Sequence, residues 1–456
     1  MTTSYKVNNP FNNNLLGEFH FSTKEELQTQ LNLLKEGQTT LKHIPAHERS
    51  DILRRLAELL EDNAEKFAKL ITLETGKTIS DSRIEMTRAV NAAVASSEEA
   101  RQITGESLDS DAYAPTRGKI GIVCWRPLGT VLCITPFNFP INIALHKIGP
   151  AFAAGNSVMF KPGPQNTLSS KLLTELCYQA GFPTNTLQLC MPDIPEMGGL
   201  IADPLVNVIN FTGGTAAANS IANAAGYKKL LLELGGNDPL IVMADGDIDS
   251  AVNAAVNQRF ATAGQRCTAA KRIFLHEDIY TQFRDTLVTK TEQLIIGNPL
   301  QEDTFIGPII NEKAANDVKQ SIEQAISAGA TVALGNKQVG NIIYPTILEN
   351  VNMACELMVE ETFGPVIPLM SFSDIEDIIP LINNSAYGLQ GGIFTQQLDL
   401  IKYLFEELDI GTLAVNDGPG FRAEHFPFGG VKASGVGREG IKYAIREMSY
   451  LKTLVI

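Results

Sequence analysis

Apolar side chains recur at helical spacing in the first hundred residues of the chain. In the segments 25–42 and 46–75, hydrophobic residues return every three or four positions with charged residues between them, which predicts two amphipathic helices. A third helix is predicted over 82–104. Gly76 follows the second helix and Gly105 the third, and glycine often ends a helix because it tolerates left-handed backbone angles. The amino-terminal quarter is therefore predicted to be helical.

From residue 118 onwards, short apolar runs alternate with helical segments. The runs with strand character are 118–125, 129–135, 157–160, 187–190, 206–211, 229–233 and 272–276. The helical segments are 167–180, 215–225, 248–260, 279–294 and 312–328. Strands that alternate with helices build parallel sheets with crossover helices, so the chain is predicted to be an α/β protein.

Composition and charge restrict the classes of function. A chain of 456 residues predicts two to four domains, with three as the central expectation. The 37 Lys and Arg residues against 51 Asp and Glu give a net charge of −14, which has the wrong sign for binding a nucleic-acid backbone. The sequence contains no apolar run of about 18 residues. Neither a nucleic acid nor a membrane is therefore an expected partner.

The cysteines and the amino terminus predict the compartment. Six cysteines are scattered along the chain without a C-x-x-C pair, a density far below that of a disulfide scaffold. Residues 1–10 are polar and lack the apolar core of a signal peptide. These features predict a reducing, cytoplasmic setting.

Two residues stand out as candidates for covalent and acid–base chemistry. Cys267 follows a glycine, a glutamine and an arginine, and the neighbouring Arg266 would favour its thiolate. A lone cysteine is nevertheless more often a small buried hydrophobe. Glu233 ends an apolar strand and precedes two glycines, a position that would raise its pKa and suit a general base. A solvated glutamate at a strand end is an equally good interpretation of that segment alone.

Three further segments could bind oxygen anions or phosphates. Asn138 lies in a stiff Pro-Phe-Asn-Phe-Pro loop after an apolar strand and could donate to an oxyanion, although turn-forming asparagines are common there. Lys161 follows another strand. Gly213 and Gly214 precede a helix at Thr215, a turn that can direct N–H groups toward pyrophosphate, but two glycines alone are weak support.

A literal G-x-G-x-x-G match at 435–440 does not predict a dinucleotide site. Only 16 residues follow Gly440 (456 − 440), which is too few for the rest of a βαβ unit of about 30 residues. The segment is instead interpreted as a loop that positions the carboxyl-terminal residues.

Taken together in order and spacing, these segments resemble the aldehyde dehydrogenase superfamily over essentially the whole chain. The matching motifs are 126–140 (RPLGTVLCITPFNFP), 211–215 (FTGGT), 233–237 (ELGGN), 264–267 (GQRC), 361–366 (ETFGPV), 384–389 (NSAYGL) and 427–430 (PFGG). The spacing of 34 positions from Glu233 to Cys267 (267 − 233) also matches the family.

The resemblance implies a mechanism and three catalytic residues. The Cys267 thiolate would attack the aldehyde carbon, while the Asn138 side chain and the Cys267 backbone N–H hold the oxyanion. Hydride transfer to the nicotinamide would leave a thioester, which water activated by Glu233 hydrolyses. Because the branch that releases an acyl-coenzyme A typically replaces this glutamate, a free carboxylic acid is the expected product.

The resemblance also implies a nicotinamide cofactor and no metal. The residues expected to bind the cofactor are Thr135, Pro136, Phe137, Lys161, Gly163, Pro164, Phe211, Thr212, Gly213, Gly214, Thr215, Leu234, Gly235, Glu361 and Phe363. NAD-preferring members usually place a glutamate where this chain has Pro164, and the common glutamate after Thr215 is also missing. NADP is therefore slightly favoured over NAD.

The substrate expectation follows the branch that the motifs resemble most, the non-phosphorylating glyceraldehyde-3-phosphate and phosphonoacetaldehyde dehydrogenases. Arg266, Arg101 and Arg422 are predicted to hold an anionic group, with Phe139 and Thr268 also at the substrate. Phe139 stands where those enzymes have tyrosine or histidine, which removes one polar contact. The expected substrate is a small aldehyde with an anionic or hydroxyl tail, such as glyceraldehyde 3-phosphate, lactaldehyde or a semialdehyde.

The implied fold has three parts. A Rossmann-type NAD(P)-binding domain is expected over 1–112 and 129–233, an α/β catalytic domain over 234–425, and a small β oligomerisation flap over 113–128 with 438–456. The flap implies a homodimer or homotetramer. Two alternatives stay open, which are a cofactor-independent esterase-type activity and a non-catalytic structural protein such as a lens crystallin.

Overall fold

The computed structural model describes residues 4–456, so residues 1–3 of the predicted polar amino terminus and first domain lie outside the described residues. The helices are α1 (Lys24–Leu41), α2 (Ala46–Asp62), α3 (Ala64–Thr75), α4 (Ile79–Ala100), α5 (Pro140–Ala154), α6 (Thr167–Ala180), α7 (Ile194–Ala202), α8 (Thr215–Ala225), α9 (Ile248–Phe260), α10 (Tyr280–Glu292), α11 (Glu312–Ser327), α12 (Glu356–Val359), α13 (Ile375–Asn383), α14 (Leu398–Glu407) and α15 (Ile441–Glu447). Across residues 4–456, none of these helices combines the length and the apolar composition that crossing a bilayer requires.

The strands divide into two large sheets, one small sheet and two hairpins. They are β1 (Ser4–Asn8), β2 (Leu15–His20), β3 (Glu106–Leu108), β4 (Gly121–Pro127), β5 (Thr130–Ile134), β6 (Val158–Lys161), β7 (Leu187–Leu189), β8 (Val206–Thr212), β9 (Lys229–Glu233), β10 (Pro239–Val242), β11 (Arg272–His276), β12 (Thr331–Leu334), β13 (Gln338–Val339), β14 (Ile342–Ile343), β15 (Thr346–Glu349), β16 (Val366–Phe372), β17 (Gln390–Phe394), β18 (Thr412–Val415), β19 (Gly435–Val436) and β20 (Ser449–Val455).

The predicted elements are largely confirmed, with one helix divided in two. The bounds of α6, α8, α9, β9 and β11 agree with the predicted segments residue for residue. The single helix expected over 46–75 breaks at Asn63, whose side-chain Nδ2 donates to Leu59 O at 2.8 Å and so competes with the regular helical pattern. Gly76 ends α3 with a φ of 75°, as its position predicted.

The six-stranded sheet has the order β19-β9-β8-β5-β6-β7, and all its pairs are parallel except β19 with β9. The chain leaves β5 for β6 on one side and later returns to β8 on the other side. The sheet therefore has a topological switch point between β5 and β8, where ligands of doubly wound folds bind.

Both faces of this sheet are buried. Along β5, Val131 and Cys133 pack into one hydrophobic core, while Leu132 and Ile134 pack into another. Alternate side chains of a strand point to opposite faces, and parallel sheets are covered by helices on both. This explains why residues 129–135 form a continuous apolar run in the sequence.

The seven-stranded sheet has the order β12-β15-β16-β11-β10-β17-β18, with only the pair β12–β15 antiparallel. It also separates two cores, because Leu240 and Val242 of β10 face one and Ile241 faces the other. The two large sheets account for the α/β class that strand–helix alternation predicted.

The three-stranded sheet has the order β20-β4-β3 and is antiparallel. Two contacts cross the predicted domain boundaries. Strand β3, assigned to the first domain by the prediction, pairs with β4, and the helix α15, assigned to the flap, packs against α5. The segment at 435–440 is likewise more than a loop, since Gly435 pairs with Glu233 as part of β19.

Candidate active site

The carboxyl ends of β5, β8 and β9 surround a cavity of about 300 Å³, called here the first cavity. It lies at the switch point of the six-stranded sheet. Its lining residues are Pro136, Phe137, Asn138, Ile143, Thr212, Gly213, Gly214, Leu234, Gly235, Cys267, Glu361 and Phe363. All except Ile143 were predicted from the sequence as catalytic or cofactor-binding residues. The structure therefore brings motifs that are separated by more than 200 residues into one wall.

The segment 261–267, which carries the candidate nucleophile Cys267 and is called here the nucleophile segment, has an unusual backbone. Thr262 and Ala263 have φ values of 56° and 53°, a left-handed conformation that non-glycine residues seldom adopt. Asp81 holds this bend, because its Oδ2 accepts from the backbone N of Thr262 at 2.9 Å and from its hydroxyl at 3.2 Å. Gly264 continues the bend with a φ of 73°. The bend delivers Cys267 to the wall of the first cavity.

Cys267 is half-buried, and four charged residues act on its thiol. Burial raises the pKa of the Cys267 thiol, and the carboxylates of Glu361 and Asp238 raise this pKa further. Lys271 and Arg422 oppose that shift because a nearby cation stabilises the thiolate. The thiolate therefore forms at a higher pH than in a solvated cysteine.

Asn138 lines the same cavity as Cys267, and its side chain is held by a hydrogen bond. Its side chain is buried, and Nδ2 donates to Gln265 O at 2.7 Å. The helix α5 starts two residues later, and Glu85 Oε1 accepts from the N–H groups of Ile141 and Asn142 at 2.9 and 3.1 Å. Glu85 thus caps the helix that follows the Asn138 loop. The second N–H of the Asn138 amide is the one that can serve an oxyanion.

Glu233 lies at the end of β9, directly before the lining residues Leu234 and Gly235. Its carboxyl is 3% exposed, and Oε2 has no hydrogen-bond partner among the described residues. Burial raises the pKa of Glu233 well above the ordinary value, and the neighbouring carboxylate of Glu439 raises it further. A buried carboxyl with one unpartnered oxygen can act as a general base for a water molecule that reaches it.

A buried ion network lies behind Glu233, and sequence reasoning missed it. Lys147 Nζ donates to Glu439 Oε1 at 2.7 Å and to Asn210 Oδ1 at 2.6 Å. Arg422 Nη2 donates to Glu439 Oε2 at 2.7 Å. Burial alone would raise the pKa of Glu439, but the attraction of Lys147 and Arg422 outweighs it and lowers this pKa to about 2. Two sequence features could have indicated this network, which are the charged Lys147 in the apolar segment 140–154 and Glu439 inside the G-x-G-x-x-G match.

The first cavity fits the nicotinamide half of a dinucleotide. Gly214 precedes α8 without a side-chain cap, so the first N–H groups of this helix can bind an anion. A Cβ atom on Gly213 would lie 2.4 Å from the ring of Phe211, and one on Gly235 would lie 2.0 Å from Glu361 Oε2. A larger residue at either position would require the Phe211 ring or the Glu361 carboxylate to move. Six predicted cofactor residues lie outside the lining of this cavity, and these are Thr135, Lys161, Gly163, Pro164, Phe211 and Thr215.

A second cavity of about 350 Å³ adjoins the nucleophile segment from the other side. Its lining residues are Thr78, Ser80, Asp81, Ile84, Glu85, Arg88, Phe139, Asn257, Gln258, Ala261, Thr262, Arg266 and Phe305. The guanidinium groups of Arg88 and Arg266 each keep one buried nitrogen, Nη2 and Nε respectively, without a partner among the described residues. Unpaired buried guanidinium nitrogens favour an anionic ligand.

Arg88 was not among the predicted substrate residues, although its spacing places it on one helix face with other residues that line the cavity. Asp81, Ile84, Glu85 and Arg88 are spaced three and four residues apart on α4, so they share one face of that helix. Arg88 Nε donates to Glu424 at 3.2 Å, and burial lowers the pKa of Arg88, with a further reduction from Arg422 and Arg266.

Three predicted substrate residues are placed differently from the expectation. Arg101 lines neither cavity, because it lies 13 residues beyond Arg88, about 20 Å along the axis of α4, and pairs with Asp51 at 2.5 Å on the surface. Arg422 lines neither cavity, and one of its terminal nitrogens is bound to Glu439. Thr268 is buried and also lies outside both linings. Phe139 and Arg266 do line the second cavity together.

Comparisons with known proteins agree with this geometry. The model of the aldehyde dehydrogenase family matches residues 1–454. The sulfoacetaldehyde dehydrogenase of Neptuniibacter caesariensis is 65% identical over 456 residues, with 100% of both chains covered. The 3-sulfolactaldehyde dehydrogenase of Priestia aryabhattai is 38% identical, with 100% of this chain and 96% of that one covered. The NADP-dependent glyceraldehyde-3-phosphate dehydrogenase of Bacillus halodurans, solved with NADP, has a TM-score of 0.96 at 36% identity, covering 100% of this chain and 96% of that one.

Proposed function

The chain belongs to the aldehyde dehydrogenase family, and we propose that it oxidises a short aldehyde with an anionic tail to the carboxylic acid, using NADP or NAD. The match to the family model and to the solved structure confirms the predicted family and the predicted fold class. Two residues that are adjacent in the sequence line different cavities, and this observation is the main support for the proposed function. Cys267 lines the first cavity and Arg266 the second, so the nucleophile segment separates a cofactor side from a substrate side.

Cys267 is the proposed nucleophile and Asn138 the proposed oxyanion donor. An aldehyde whose tail occupies the second cavity would have to bring its carbonyl carbon to the Sγ atom of Cys267. Attack of the thiolate on the carbonyl carbon forms a thiohemiacetal and moves negative charge onto the oxygen. The free N–H of the Asn138 amide, held in place by its other bond to Gln265 O, stabilises that charge without reorganisation.

Glu233 is the proposed general base for hydrolysis. A nicotinamide bound in the first cavity would accept the hydride, which leaves an acyl group on Cys267 as a thioester. Glu233 Oε2 then takes the proton of a water molecule that attacks the thioester carbon. The free carboxylic acid leaves, and the thiolate of Cys267 is restored.

The residues proposed to hold the cofactor belong to two groups. Gly213 and Gly214 with the start of α8 would receive the pyrophosphate. Glu361 and Phe363 would contact the nicotinamide ribose and ring, and Lys161 at the end of β6 would contact the adenosine ribose. The proline at position 164 removes a carboxylate that would repel a 2′-phosphate, which supports the use of NADP.

The proposed tail is a sulfonate. Arg88 and Arg266 offer unpaired N–H donors to a group with three acceptor oxygens, and guanidinium forks suit such groups. The names of two relatives also include sulfonated aldehydes, at 65% and 38% identity. Sulfoacetaldehyde is therefore the substrate that we propose to test first.

A panel of aldehydes assayed with NADP and with NAD tests this proposal. Sulfoacetaldehyde is expected to give the highest kcat/KM, followed by other anionic aldehydes, with uncharged aldehydes of the same length far below. Reduction of NADP at least as fast as that of NAD is expected. The proposal is wrong if uncharged aldehydes are oxidised as efficiently as anionic ones, or if acid forms without reduction of either cofactor, as an esterase would allow.

We also propose that the protein is a cytoplasmic homodimer or homotetramer. The exposed strand β20 carries apolar side chains, and a sheet edge of this kind can pair with another copy of the chain. All six cysteines are free thiols, which supports a reducing compartment.

A further inference from the structure

Lys271 is a buried cation in contact with the Cys267 backbone, and no step of the proposed reaction uses it. Its side chain is 1% exposed, and its Nζ atom donates to three acceptors. These are Cys267 O at 2.8 Å, Gly236 O at 2.5 Å and Glu361 Oε1 at 2.5 Å. An ammonium group has three donors, so all of its hydrogen-bonding capacity is committed.

Each acceptor belongs to a different wall of the site. Cys267 O is in the nucleophile segment, Gly236 O is in the turn that follows Glu233 and β9, and Glu361 is the proposed ribose contact. Glu361 Oε1 also accepts from the backbone N of Gly236 at 3.3 Å. One side chain therefore connects the residues proposed for attack, for hydrolysis and for cofactor binding.

The segment that carries Glu361 is also fixed to the nucleophile segment by direct packing. A Cβ atom on Gly264 would lie 2.3 Å from the carbonyl carbon of Gly364, so the two backbones are in close contact. Arg259, fully buried, donates from Nε to Val366 O at 2.6 Å and from Nη2 to Thr362 O at 3.2 Å. A displacement of Glu361 is thus transmitted to the backbone around Cys267.

We propose that Lys271 is a positioning residue that couples cofactor binding at Glu361 to the placement and reactivity of Cys267. This inference rests on the proposed function, because it takes Glu361 as the ribose contact. In the structure, Glu361 Oε1 accepts from the Lys271 ammonium. Ribose hydroxyls that donate to Glu361 compete for this carboxylate, so more of the positive charge of Lys271 acts on Cys267.

The charged groups that face Cys267 give this coupling a direction. Lys271 and Arg422 favour the Cys267 thiolate, whereas Glu361 and Asp238 disfavour it. Cofactor binding that weakens the Lys271–Glu361 pair is therefore expected to move ionisation of Cys267 to lower pH. Loss of Lys271 is expected to move it to higher pH and to remove the response to the cofactor.

The test measures the rate of Cys267 alkylation by iodoacetamide against pH, with and without saturating NADP. Five other cysteines are present, so labelling is followed on the peptide that contains Cys267 by mass spectrometry. In the unsubstituted protein, NADP is expected to shift the midpoint of the rate profile to lower pH. In Lys271→Met the midpoint without NADP is expected at higher pH, with no shift on adding NADP.

Lys271→Arg and Arg272→Met are the matched variants. Arginine restores the charge but not the three-acceptor geometry, so a partial shift with NADP is expected. Arg272 is equally buried and donates to Asn237 O at 2.9 Å, but it contacts neither Cys267 nor Glu361. Arg272→Met therefore reports loss of a buried cation and is expected to keep the NADP-dependent shift.

Cofactor affinity provides a second readout that does not depend on turnover. Fluorescence titration of Lys271→Met with NADP is expected to show a Kd about 10-fold lower, because the ribose hydroxyls no longer compete with the Lys271 ammonium for Glu361. If Lys271→Met does not fold, Glu361→Gln replaces it, with an expected midpoint below that of the unsubstituted protein and no NADP-dependent shift.

The inference is overturned if Lys271→Met, or Glu361→Gln in its place, keeps the full NADP-dependent shift. Failure of the proposed function would be recognised separately, since the unsubstituted protein would then neither bind NADP nor reduce it with any aldehyde of the panel.

Discussion

At the scale of single residues, the arginines of the second cavity are proposed to select anionic aldehydes. Arg88 and Arg266 each present a buried nitrogen without a partner among the described residues, and both line the same cavity. Arg88→Leu is expected to lower kcat/KM for sulfoacetaldehyde about 10–100-fold, the usual cost of losing a charged hydrogen bond. An uncharged aldehyde of equal length is expected to be oxidised at an unchanged rate.

Arg101→Leu is the control for this prediction, because Arg101 pairs with Asp51 on the surface. It is expected to leave kcat/KM for both aldehydes unchanged. Steady-state kinetics of both variants with both aldehydes measure these changes in kcat/KM. Equal losses in Arg88→Leu for the charged and the uncharged aldehyde would contradict the role given to Arg88.

The raised pKa of Cys267 predicts how kcat/KM depends on pH. Burial raises this pKa, so the thiolate fraction and hence kcat/KM are expected to increase as the pH rises above neutrality and to level off above the folded-state pKa. The free enzyme determines kcat/KM, so the profile reports the protein before substrate binds. A kcat/KM that is constant from about pH 6 to about pH 9 would contradict an elevated thiol pKa.

At the scale of elements, the contact between the nucleophile segment and the segment of Glu361 limits what position 264 accepts. Gly264 has a φ of 73°, and a Cβ atom there would collide with the carbonyl of Gly364. Gly264→Ala is expected to lower both the Tm and kcat, because the backbone that carries Cys267 must move. Thermal unfolding and steady-state kinetics measure the two effects.

Gly340→Ala is the control for Gly264→Ala, because it introduces the same backbone strain without a collision. Gly340 has a φ of 57°, and a Cβ atom there would meet nothing within 4 Å. This variant is expected to cost only about 1 kcal/mol of stability, the price of a left-handed alanine, with kcat unchanged. If Gly264→Ala were no more harmful than Gly340→Ala, the close contact between the two segments would be in doubt.

Sequence patterns located most elements but few of the long-range contacts. Strand β9 and helix α8 were predicted to the residue because burial on both faces and a glycine turn leave clear local signals. The break at Asn63 was missed, since a side-chain bond to Leu59 O leaves the apolar period intact. The ion pairs of Lys147 with Glu439 and of Lys271 with Glu361 join residues 292 and 90 positions apart, and periodicity carries no information on such pairs.

At the scale of the whole molecule, the edge strand β20 predicts how copies of the chain associate. Leu451, Leu454 and Val455 are more than half exposed on this strand. Leu454→Lys places a charge on the proposed interface and is expected to convert the oligomer to monomers, as light scattering on a sizing column would detect. Ile194→Lys introduces the same charge at an exposed position on α7 and is expected to leave the mass unchanged. A monomeric unsubstituted protein would contradict the proposed assembly.

The family resemblance predicted the catalytic residues, whereas the structure changes which arginines are proposed to bind the substrate. Glu233, Asn138 and Cys267 lie at or next to the first cavity, which supports their predicted roles. Arg101 was predicted because a guanidinium suits an anionic group, but it pairs with Asp51 on the surface, whereas Arg88 lines the second cavity. Both arginines lie in the same predicted helix, 82–104, so only the face of that helix could have distinguished them in the sequence.

The most direct test of the account is to trap the acyl group on Cys267. Glu233→Gln removes the proposed base, so addition of sulfoacetaldehyde and NADP is expected to release one equivalent of reduced cofactor per site and then stop. Peptide mass spectrometry is expected to find the acyl adduct on Cys267 only when aldehyde and NADP are both present. An adduct on another residue, or continued turnover with Cys267 unmodified, would contradict the account.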